Sequence, residues 1–392
     1  MFTKNIKFKN FIRKKNPKTN KILRNIIKDK ALLEKYPLLN SLTKKFQYSY
    51  KKKNIKSFKS YSKVNLIGMG GSIIGAESIY NFLKHKVNKK FFFYNNLQFK
   101  NIPKTNEKNI NLVISKSGNT LETVSNFNLL LQKQKKNKNV ILCEKKNNFL
   151  SLLAKKLKAE IFEHKNYIGG RYSVLSETGM LPAELMGLNE KKFKRLNYLI
   201  KNKKFINNLI GNVANTLNLV RNKKYLSILL NYDRSSENLF SWYQQLIAES
   251  LGKKSKGILP LVSTMPKDNH SLMQFYLDGP KKNFYTFFSV LAKNSNKINS
   301  KYLLKSHSYL RNKNLSKIIS SQIVATQNIF KRKKIPFRSF EILKRNEQSL
   351  GEIFCFFILE TILLGRALKV NPFDQPSVEL IKKETKKILI RN

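Results

Sequence analysis

Two short loops hold the residues whose types and spacing could do chemistry. The first lies in VNLIGMGGSIIGAESIYNFL, where Gly68, Gly70, Gly71 and Ser72 stand between a predicted strand and a predicted helix. Glycines let a backbone approach an anion closely, and the N-terminus of a helix offers that anion free N–H groups. The same residues would also suit a tight strand-to-helix turn, and their spacing departs from the dinucleotide fingerprint.

The second loop follows another apolar run, in ISKSGNTLETVSNFNLLL. It places Ser115, Lys116, Ser117 and Thr120 directly before a predicted helix. Several hydroxyls and backbone N–H groups at a helix start suit a phosphate monoester, because its oxygens accept many hydrogen bonds. The alternative is an ordinary helix start, at which Thr120 and Thr123 only cap the helix. Two such loops after two strands of one sheet favour the phosphate interpretation.

Short apolar runs spaced by helical patterns must position these loops. A first series comprises VNLIG, NLVIS at 111–115, VILC at 140–143 and AEIF at 159–162. A second comprises YLSILLN at 225–231, GILPLV at 257–262 and FYTFFSV at 284–290. Strands that alternate with helices predict parallel sheets with crossover connections. The fold class is therefore α/β, with two similar lobes and a cleft between them.

Helices account for both ends of the chain in this interpretation. The first 45 or so residues are expected to be helical and peripheral, with leucines such as Leu38 and Leu39 capping a core. A long apolar helix spans roughly 349–368, and a final basic helix after Pro376 is expected to pack back across both lobes. The predicted units are an N-terminal helical extension at 1–45, a first domain at 46–195, a second domain at 196–368 and a C-terminal helical arm at 369–392.

The net charge of the chain needs an explanation. Among 392 residues it is formally +54, and basic proteins of this kind often bind nucleic acid. The excess is mostly lysine and is spread over every segment, whereas nucleic-acid sites gather charge on one face with stacking aromatics. We therefore expect no nucleic-acid binding, and we expect the positive field to attract an anionic substrate.

Other composition features bear on the compartment. Cys143 and Cys355 each lie within an apolar run, which suits reduced, buried thiols in a cytosolic protein. The basic N-terminus contains no apolar stretch typical of a signal peptide, and no segment has the long uncharged run of a membrane span. The expected location is the cytoplasm, without membrane contact.

Six motifs in this order closely resemble those of the glucose-6-phosphate isomerase family. They are the GMGGS loop, the SKSGNTLET loop, GGRYSVLSETG at 169–179, WYQQLIAESLGK at 242–253, DNHSLMQFYLDGP at 268–280 and NPFDQPSVELIKK at 371–383. The resemblance runs from about residue 64 to residue 383. It implies two flavodoxin-like sugar-isomerase domains, each a three-layer α/β sandwich, with a sugar phosphate bound between them. It also implies a homodimer with shared active sites, and a reaction that needs no metal or other cofactor.

The resemblance assigns roles to individual positions. It makes Glu249 the catalytic base, Arg171 the stabiliser of the intermediate, and His270 and Lys382 the groups that open the sugar ring, with His270 reaching the partner's site. The substrate-binding positions are Gly71, Ser72, Ser115, Lys116, Ser117, Thr120 and Gly170, with Glu122, Gln245 and Gln375 as supporting positions.

The chemistry of an aldose–ketose shift asks for these residue types. One carboxylate can remove a proton beside a carbonyl and return it to the next carbon, so Glu249 would act first as base and then as acid. A guanidinium at Arg171 would stabilise the negative enediolate more than the neutral sugar. Histidine titrates near neutrality, which suits His270 to proton transfer during ring opening. A single glutamate in a helix is nevertheless more often an exposed, inert surface residue, and a single histidine is more often structural, so these assignments depend on the surrounding motifs.

The sequence leaves two alternative functions open and departs from the family pattern at two places. The chain could be a related isomerase that also accepts mannose 6-phosphate, or a non-catalytic sugar-phosphate sensor. Asn119 stands where a threonine is common in the family, which could alter the phosphate contacts. The segment STMPKDN replaces a more glycine-rich lead-in before His270 and could move that histidine.

Overall fold

Two five-stranded β-sheets form the scaffold of the protein. The structure is a computed structural model, and it describes residues 2–11, 17–28, 32–97, 108–292 and 295–391. The strands, numbered in chain order, are β1 (Ile6–Lys9), β2 (Lys63–Gly68), β3 (Lys90–Tyr94), β4 (Ile110–Ile114), β5 (Lys138–Cys143), β6 (Glu160–Glu163), β7 (Leu226–Asn231), β8 (Leu259–Thr264), β9 (Asn283–Val290) and β10 (Phe337–Ile342).

Helices connect these strands and cover the sheets. They are α1 (Pro17–Lys28), α2 (Leu32–Lys35), α3 (Lys52–Phe58), α4 (Ile74–Phe82), α5 (Leu121–Lys133), α6 (Phe149–Lys156), α7 (Glu177–Leu185), α8 (Glu190–Phe193), α9 (Leu196–Lys201), α10 (Lys203–Arg221), α11 (Glu237–Leu251), α12 (Met273–Asp278), α13 (Leu315–Arg332), α14 (Glu347–Leu368) and α15 (Pro376–Arg391). Short 3₁₀ segments include Gly70–Ser72 and Gly170–Leu175. None of the described helices is both long and apolar enough to cross a membrane.

The first sheet has the strand order β3-β2-β4-β5-β6, and all of its neighbouring strands are parallel. Every residue of β4, INLVI, is buried. A continuous apolar run of this kind is expected where helices cover both faces of a parallel sheet. The phosphate-loop candidates follow β2 and β4, which are direct neighbours, so both loops lie at the same edge of the sheet.

The second sheet has the order β1-β10-β9-β7-β8, and only β1 runs antiparallel, with Ile6 opposite Ile342. In each sheet the first parallel strand along the chain lies inside, the next strand lies on one side of it and the third on the other. The predicted α/β class, with two three-layer units built on parallel sheets, is therefore confirmed.

The long helix α14 lies in the shared core. Apart from Gln348, every residue from Glu347 to Gly365 is buried, and one apolar cluster extends from this helix to strands of both sheets. Glu360, one turn before the end of that run, forms an ion pair with Arg338 of β10, and both side chains are 1% exposed. Such a pair is tolerated because the guanidinium also donates to Thr286 and Asn212 at 2.9 and 2.8 Å.

Two sequence predictions about the elements need correction, and some strands were not predicted. The N-terminal segment contains helices, but it also contributes β1 to the second sheet, and Phe2, Ile6 and Phe8 are buried in the core, so it is not peripheral. Strands β3 and β10 were not predicted. Helix α15 forms as predicted, but none of its residues, all of them described, is buried, so it does not pack back across the lobes. Leu38 and Leu39 are buried as predicted.

The domain bounds at 46–195 and 196–368 stay a prediction. The helix predicted at roughly 349–368 is confirmed as α14 and begins two residues earlier, because Asn346 caps it by accepting from the Ser349 N–H.

Candidate active site

Arg171 is a buried side chain held by five hydrogen bonds. It lies in the 3₁₀ segment Gly170–Leu175 and is only 2% exposed. Its Nη1 donates to Glu249 Oε1 at 2.9 Å and to Gln375 Oε1 at 2.8 Å. Its Nε donates to Ser250 Oγ at 2.7 Å. Nη2 donates to two backbone carbonyls, so the planar guanidinium is held in one orientation.

Helix α11 supplies the carboxylate that faces Arg171. The two oxygens of Glu249 are divided, because Oε1 accepts from Arg171 and Oε2 accepts from Gln245 Nε2 at 2.9 Å. Gln245 and Glu249 are one helical turn apart and therefore share a face of α11. On the same helix, Trp242 donates to the Arg171 carbonyl at 3.0 Å. The helix thus fixes both the backbone and the side chain of Arg171.

Two glycine loops meet beside this pair. A Cβ on Gly71 would lie 2.2 Å from the carbonyl carbon of Gly170, so the two backbones approach as closely as glycine allows. Gly70 has a positive φ of 52°, and a Cβ there would lie 2.9 Å from Gln245 Nε2. The glycines predicted to let the backbone approach an anion therefore also bring the Gly70–Ser72 segment against Arg171's segment and Gln245.

The serine loop after β4 has its own internal geometry. Ser115 Oγ and Thr120 Oγ1 are 2.9 Å apart, and the Gly118 N–H donates to the Ser115 carbonyl at 3.1 Å. Thr120 is the N-cap residue of α5, yet its side chain accepts no hydrogen bond from the helix N–H groups. The simple capping alternative is therefore not what the structure shows, and the first N–H groups of α5 lack a capping side chain.

Lys116 extends from this loop and is held on its other side. Its Nζ donates to the Asn166 carbonyl at 2.8 Å and lies 3.7 Å from Glu144 Oε1. Burial lowers the pKa of Lys116, and the Glu144 carboxylate opposes this shift. Glu144 also donates its backbone N–H to the Lys116 carbonyl at 3.0 Å. The loop is thus tied to the next loop of the sheet.

The structure brings some of the predicted site residues together and leaves others apart. Arg171, Glu249, Gln245 and Gln375 form one hydrogen-bonded group beside the two loops. His270 is exposed on the second lobe and lies outside this group. Lys382 is exposed on α15 and pairs with Glu379 of its own helix at 2.7 Å. Glu122 is half-buried in the first turn of α5.

Several groups at the site were missed by the sequence reasoning. Ser250 bridges Arg171 and Tyr172, whose hydroxyl is 3.0 Å from Ser250 Oγ. The carbonyls of Pro372 and Asp374 accept from Arg171 at 2.7 and 3.1 Å. All four residues belong to the motifs quoted above. The roles of Pro372 and Asp374 could not be predicted, because a backbone carbonyl accepts a hydrogen bond whatever the residue type.

This arrangement can move a proton next to a developing negative charge. A carboxylate oxygen and a guanidinium nitrogen lie within one hydrogen bond, and the guanidinium is fixed by five acceptors. Fixed donors stabilise an oxyanion without reorganising during the reaction. The neighbouring loops offer hydroxyls, glycine backbone and the N-terminus of α5, which are groups that bind phosphate.

Solved structures support the fold. A protein of Thermus thermophilus superposes with a TM-score of 0.80 at 21% identity, with 95% of this chain and 94% of that chain covered. A glucose-6-phosphate isomerase of Chlamydia trachomatis superposes with a TM-score of 0.71 at 16% identity and covers 99% of this chain and 89% of its own.

Curated relatives and a family model extend the likeness to the sequence. A probable glucose-6-phosphate isomerase of Methanococcus maripaludis is 30% identical over 391 residues, which cover 94% of this chain and 87% of the relative. The glucose-6-phosphate isomerase of Mycoplasmopsis pulmonis is 33% identical, with 83% and 82% covered. The model of the phosphoglucose isomerase family matches residues 38–258. With motifs, fold and sequence in agreement, the chain belongs to the phosphoglucose isomerase family.

Proposed function

We infer that this protein interconverts D-glucose 6-phosphate and D-fructose 6-phosphate, the isomerase reaction of glycolysis and gluconeogenesis. The observation that carries this inference is the Glu249 carboxylate held 2.9 Å from the buried Arg171 guanidinium, beside two loops suited to phosphate. An enediolate reaction needs a base to remove the proton and a fixed cation to stabilise the negative charge that forms, and these two groups supply both.

Glu249 is proposed to carry the proton between the two carbons. In the forward direction it removes the proton from C2 of the open-chain aldose, and the electron pair forms a C1–C2 double bond while the C1 carbonyl oxygen becomes negative. The proton of the C2 hydroxyl passes to the C1 oxygen, the C2 carbonyl forms, and Glu249 returns the carbon-bound proton to C1, which gives the ketose. The mass and charge of the sugar are unchanged, so no external oxidant or reductant takes part.

Arg171 is proposed to stabilise the enediolate. Its guanidinium is already oriented by Ser250, Gln375 and two backbone carbonyls, so it need not reorganise when charge develops. Because the sugar itself is neutral at C1 and C2, this interaction is stronger in the transition state than in the bound substrate. Gln245 is proposed to hold the second carboxylate oxygen in place.

The two loops are proposed to bind the phosphate. Ser72, Ser115, Lys116, Ser117 and Thr120 would supply hydroxyls, backbone N–H groups and one cation at the edge of the first sheet. The formal charge of +54 adds a general attraction for a dianionic substrate. We propose no nucleic-acid binding, because the positive charge is spread along the chain and is not gathered into one site.

A homodimer with shared active sites is proposed to complete the ring-opening machinery. His270 and Lys382 are exposed in the single chain and lie outside the hydrogen-bonded group around Glu249. Helix α15 also exposes a row of large apolar side chains, including Leu380 and Ile381 at 68% and 72%. Apolar surface of this extent favours burial against another chain, and a second copy could supply His270. The proposed compartment is the cytoplasm, which suits the free, buried thiols of Cys143 and Cys355.

The decisive experiment is a coupled assay of the purified protein on fructose 6-phosphate, with mannose 6-phosphate as a second substrate. Glu249→Gln keeps the size and the hydrogen bond to Arg171 but removes the base, so turnover should fall to background while substrate binding persists. Glu237→Gln at the start of the same helix is the matched control and should retain full activity. Wild-type protein that binds the sugar phosphate without any turnover would reject the isomerase and indicate a sensor.

A further inference from the structure

The two sheets connect their first three parallel strands in the same order, so β2, β3 and β4 of the first sheet are equivalent to β7, β8 and β9 of the second. In the first sheet β2 is followed by β3 on one side and β4 on the other, and in the second sheet β7 is followed by β8 on one side and β9 on the other. In each sheet, the chain adds one strand on one side of the first strand and then crosses to its other side. The order of the strands therefore reverses between β2 and β4, and again between β7 and β9. In open α/β sheets, ligands bind in the crevice outside the carboxyl ends of the strands at such a reversal.

The proposed phosphate site occupies the first of these two crevices, and the second contains a separate cavity. Its volume is about 200 Å³, and its walls include Tyr232 and Asp233 after β7, Ser289 at the end of β9, Glu341 of β10 and Ile319 of α13. Since one water needs at least about 10–15 Å³ of such a volume, the cavity has room for several waters or a compact small molecule.

This second crevice is not built for a phosphate. The segment after β7 reads YDRSS, without the glycines that permit close backbone approach after β2. This segment places the Asp233 carboxylate in the cavity wall, and Glu341 of β10 contributes a second carboxylate. Among the described residues that line the cavity, Arg345 is the one cation, and it already pairs with Asp233 at 2.5 Å. Both carboxylates are ion-paired, Asp233 with Arg345 and Glu341 with Lys7, so no described lining residue offers an unpaired cation to an anion.

The polar groups of the cavity are both donors and acceptors. The Arg345 guanidinium is fixed by Asp233, by the Phe82 carbonyl at 3.4 Å and by the Phe82 ring 4.8 Å away. Asp233 accepts in addition from Ser236 Oγ at 2.5 Å. Glu341 Oε2 pairs with Lys7 at 3.1 Å at the exposed rim. The lining also includes four serines, of which Ser316 and Ser320 belong to α13, together with apolar side chains of that helix.

We propose that the crevice between β7 and β9 is a second small-molecule site, which takes an uncharged, hydroxyl-rich compound such as a polyol or a monosaccharide. Each sugar hydroxyl both donates and accepts, so it can use carboxylate, serine and guanidinium groups together. The apolar wall around Ile319 suits the C–H face of such a molecule. The carboxylates at Asp233 and Glu341 would select against the phosphorylated form.

The test uses full-length protein and two probes, D-glucose and sorbitol, with binding followed by ligand-observed NMR or calorimetry. Sorbitol 6-phosphate, which has no carbonyl and cannot isomerise, is kept saturating so that the first site is occupied. We expect millimolar binding that persists under these conditions. Ser289→Leu fills the cavity and should weaken binding at least about tenfold, and Glu341→Gln should weaken it severalfold.

The matched control is Ser57→Leu on the exposed side of α3, which should leave probe binding unchanged. Isomerase turnover should be the same in wild type and Ser289→Leu, which also demonstrates that the variant is folded. Binding that disappears when sorbitol 6-phosphate saturates the first site, or that survives in Ser289→Leu, would overturn the proposal. So would stronger binding of the phosphorylated probe than of the neutral probes at this crevice.

Discussion

The Oε1 atom of Glu249 lies 2.9 Å from Nη1 of Arg171, although the two residues are 78 positions apart in the chain. Arg171 comes from a 3₁₀ segment of the first lobe and Glu249 from helix α11, which precedes β8 of the second sheet. The proposed base and the proposed enediolate stabiliser therefore meet across the boundary between the lobes. Their separation depends on how the lobes pack, which makes it sensitive to changes at either backbone.

Replacing the guanidinium tests the electrostatic role. Arg171→Lys keeps the charge but offers a single ammonium where Arg171 now donates to five acceptors. We expect kcat to fall about 100-fold, in line with the loss of one fixed oxyanion donor, while KM changes little. Steady-state kinetics measures both constants. Arg221→Lys on an exposed helix end should leave them unchanged, and an Arg171→Lys enzyme of full activity would exclude this role.

The close contact of the glycine loops predicts a strong steric effect. In Gly71→Ala the new Cβ would lie 2.2 Å from the Gly170 carbonyl carbon and 2.4 Å from its oxygen, so one backbone must move. We expect a loss of about 2–3 kcal/mol in the free energy of unfolding, with a large rise in KM. Denaturant unfolding and kinetics measure these. Gly169→Ala, whose nearest contact would be a Tyr172 ring carbon at 3.7 Å, is the control and should behave like wild type.

His164 predicts a pH dependence of stability. Burial lowers its pKa to about 4 from 6.5, and the nearby Lys116 acts in the same direction, against the Lys165 carbonyl and Glu144. Between these pH values the unfolded chain binds a proton that the native protein does not, so the free energy of unfolding falls as the pH falls. The loss approaches about 3 kcal/mol at the low end.

The measurement is the free energy of unfolding by denaturant at several pH values from 7 to about 4. His164→Asn removes the titrating group, so the decline should be shallower than in wild type across this range. His307→Asn, at an exposed position, should reproduce the wild-type slope. Equal slopes for all three proteins would show that His164 titrates alike in the folded and unfolded states.

Shared active sites predict complementation between inactive variants. If His270 acts in the partner's site, a mixed dimer of His270→Ala and Glu249→Gln subunits contains one site with both substitutions and one with neither. Random reassociation after mild denaturation should then restore about a quarter of the wild-type sites. Activity of the mixture is compared with that of each variant alone. A mixture that stays as inactive as its components would place both residues in the same subunit's site.

Some of the fold follows from local patterns. Strands β4 and β5 and the helix α14 have long apolar runs because both of their faces are buried, and these runs stand out in any sequence. Strand β1 could not be found in this way, because IKFK has only four residues and pairs with residues 339–342, more than 300 positions later. Its partner β10, FRSFEI, alternates buried and half-buried residues and includes the charged Arg338.

The sequence by itself determined the chemistry that this chain can offer: the two candidate phosphate loops, the family motifs and the identities of Glu249, Arg171, Gln245 and Gln375. These are local features, because the hydrogen-bonding and acid–base chemistry of a residue type is known from the sequence alone. Only the tertiary structure decided which of these groups lie in contact.

The contact of Gly71 with Gly170, the five acceptors around Arg171 and the exposure of His270 and Lys382 all depend on packing between segments distant in the chain. The second crevice at β7 and β9 likewise becomes visible only when the strand order is known, because a reversal of strand order is a property of the sheet and not of any one segment.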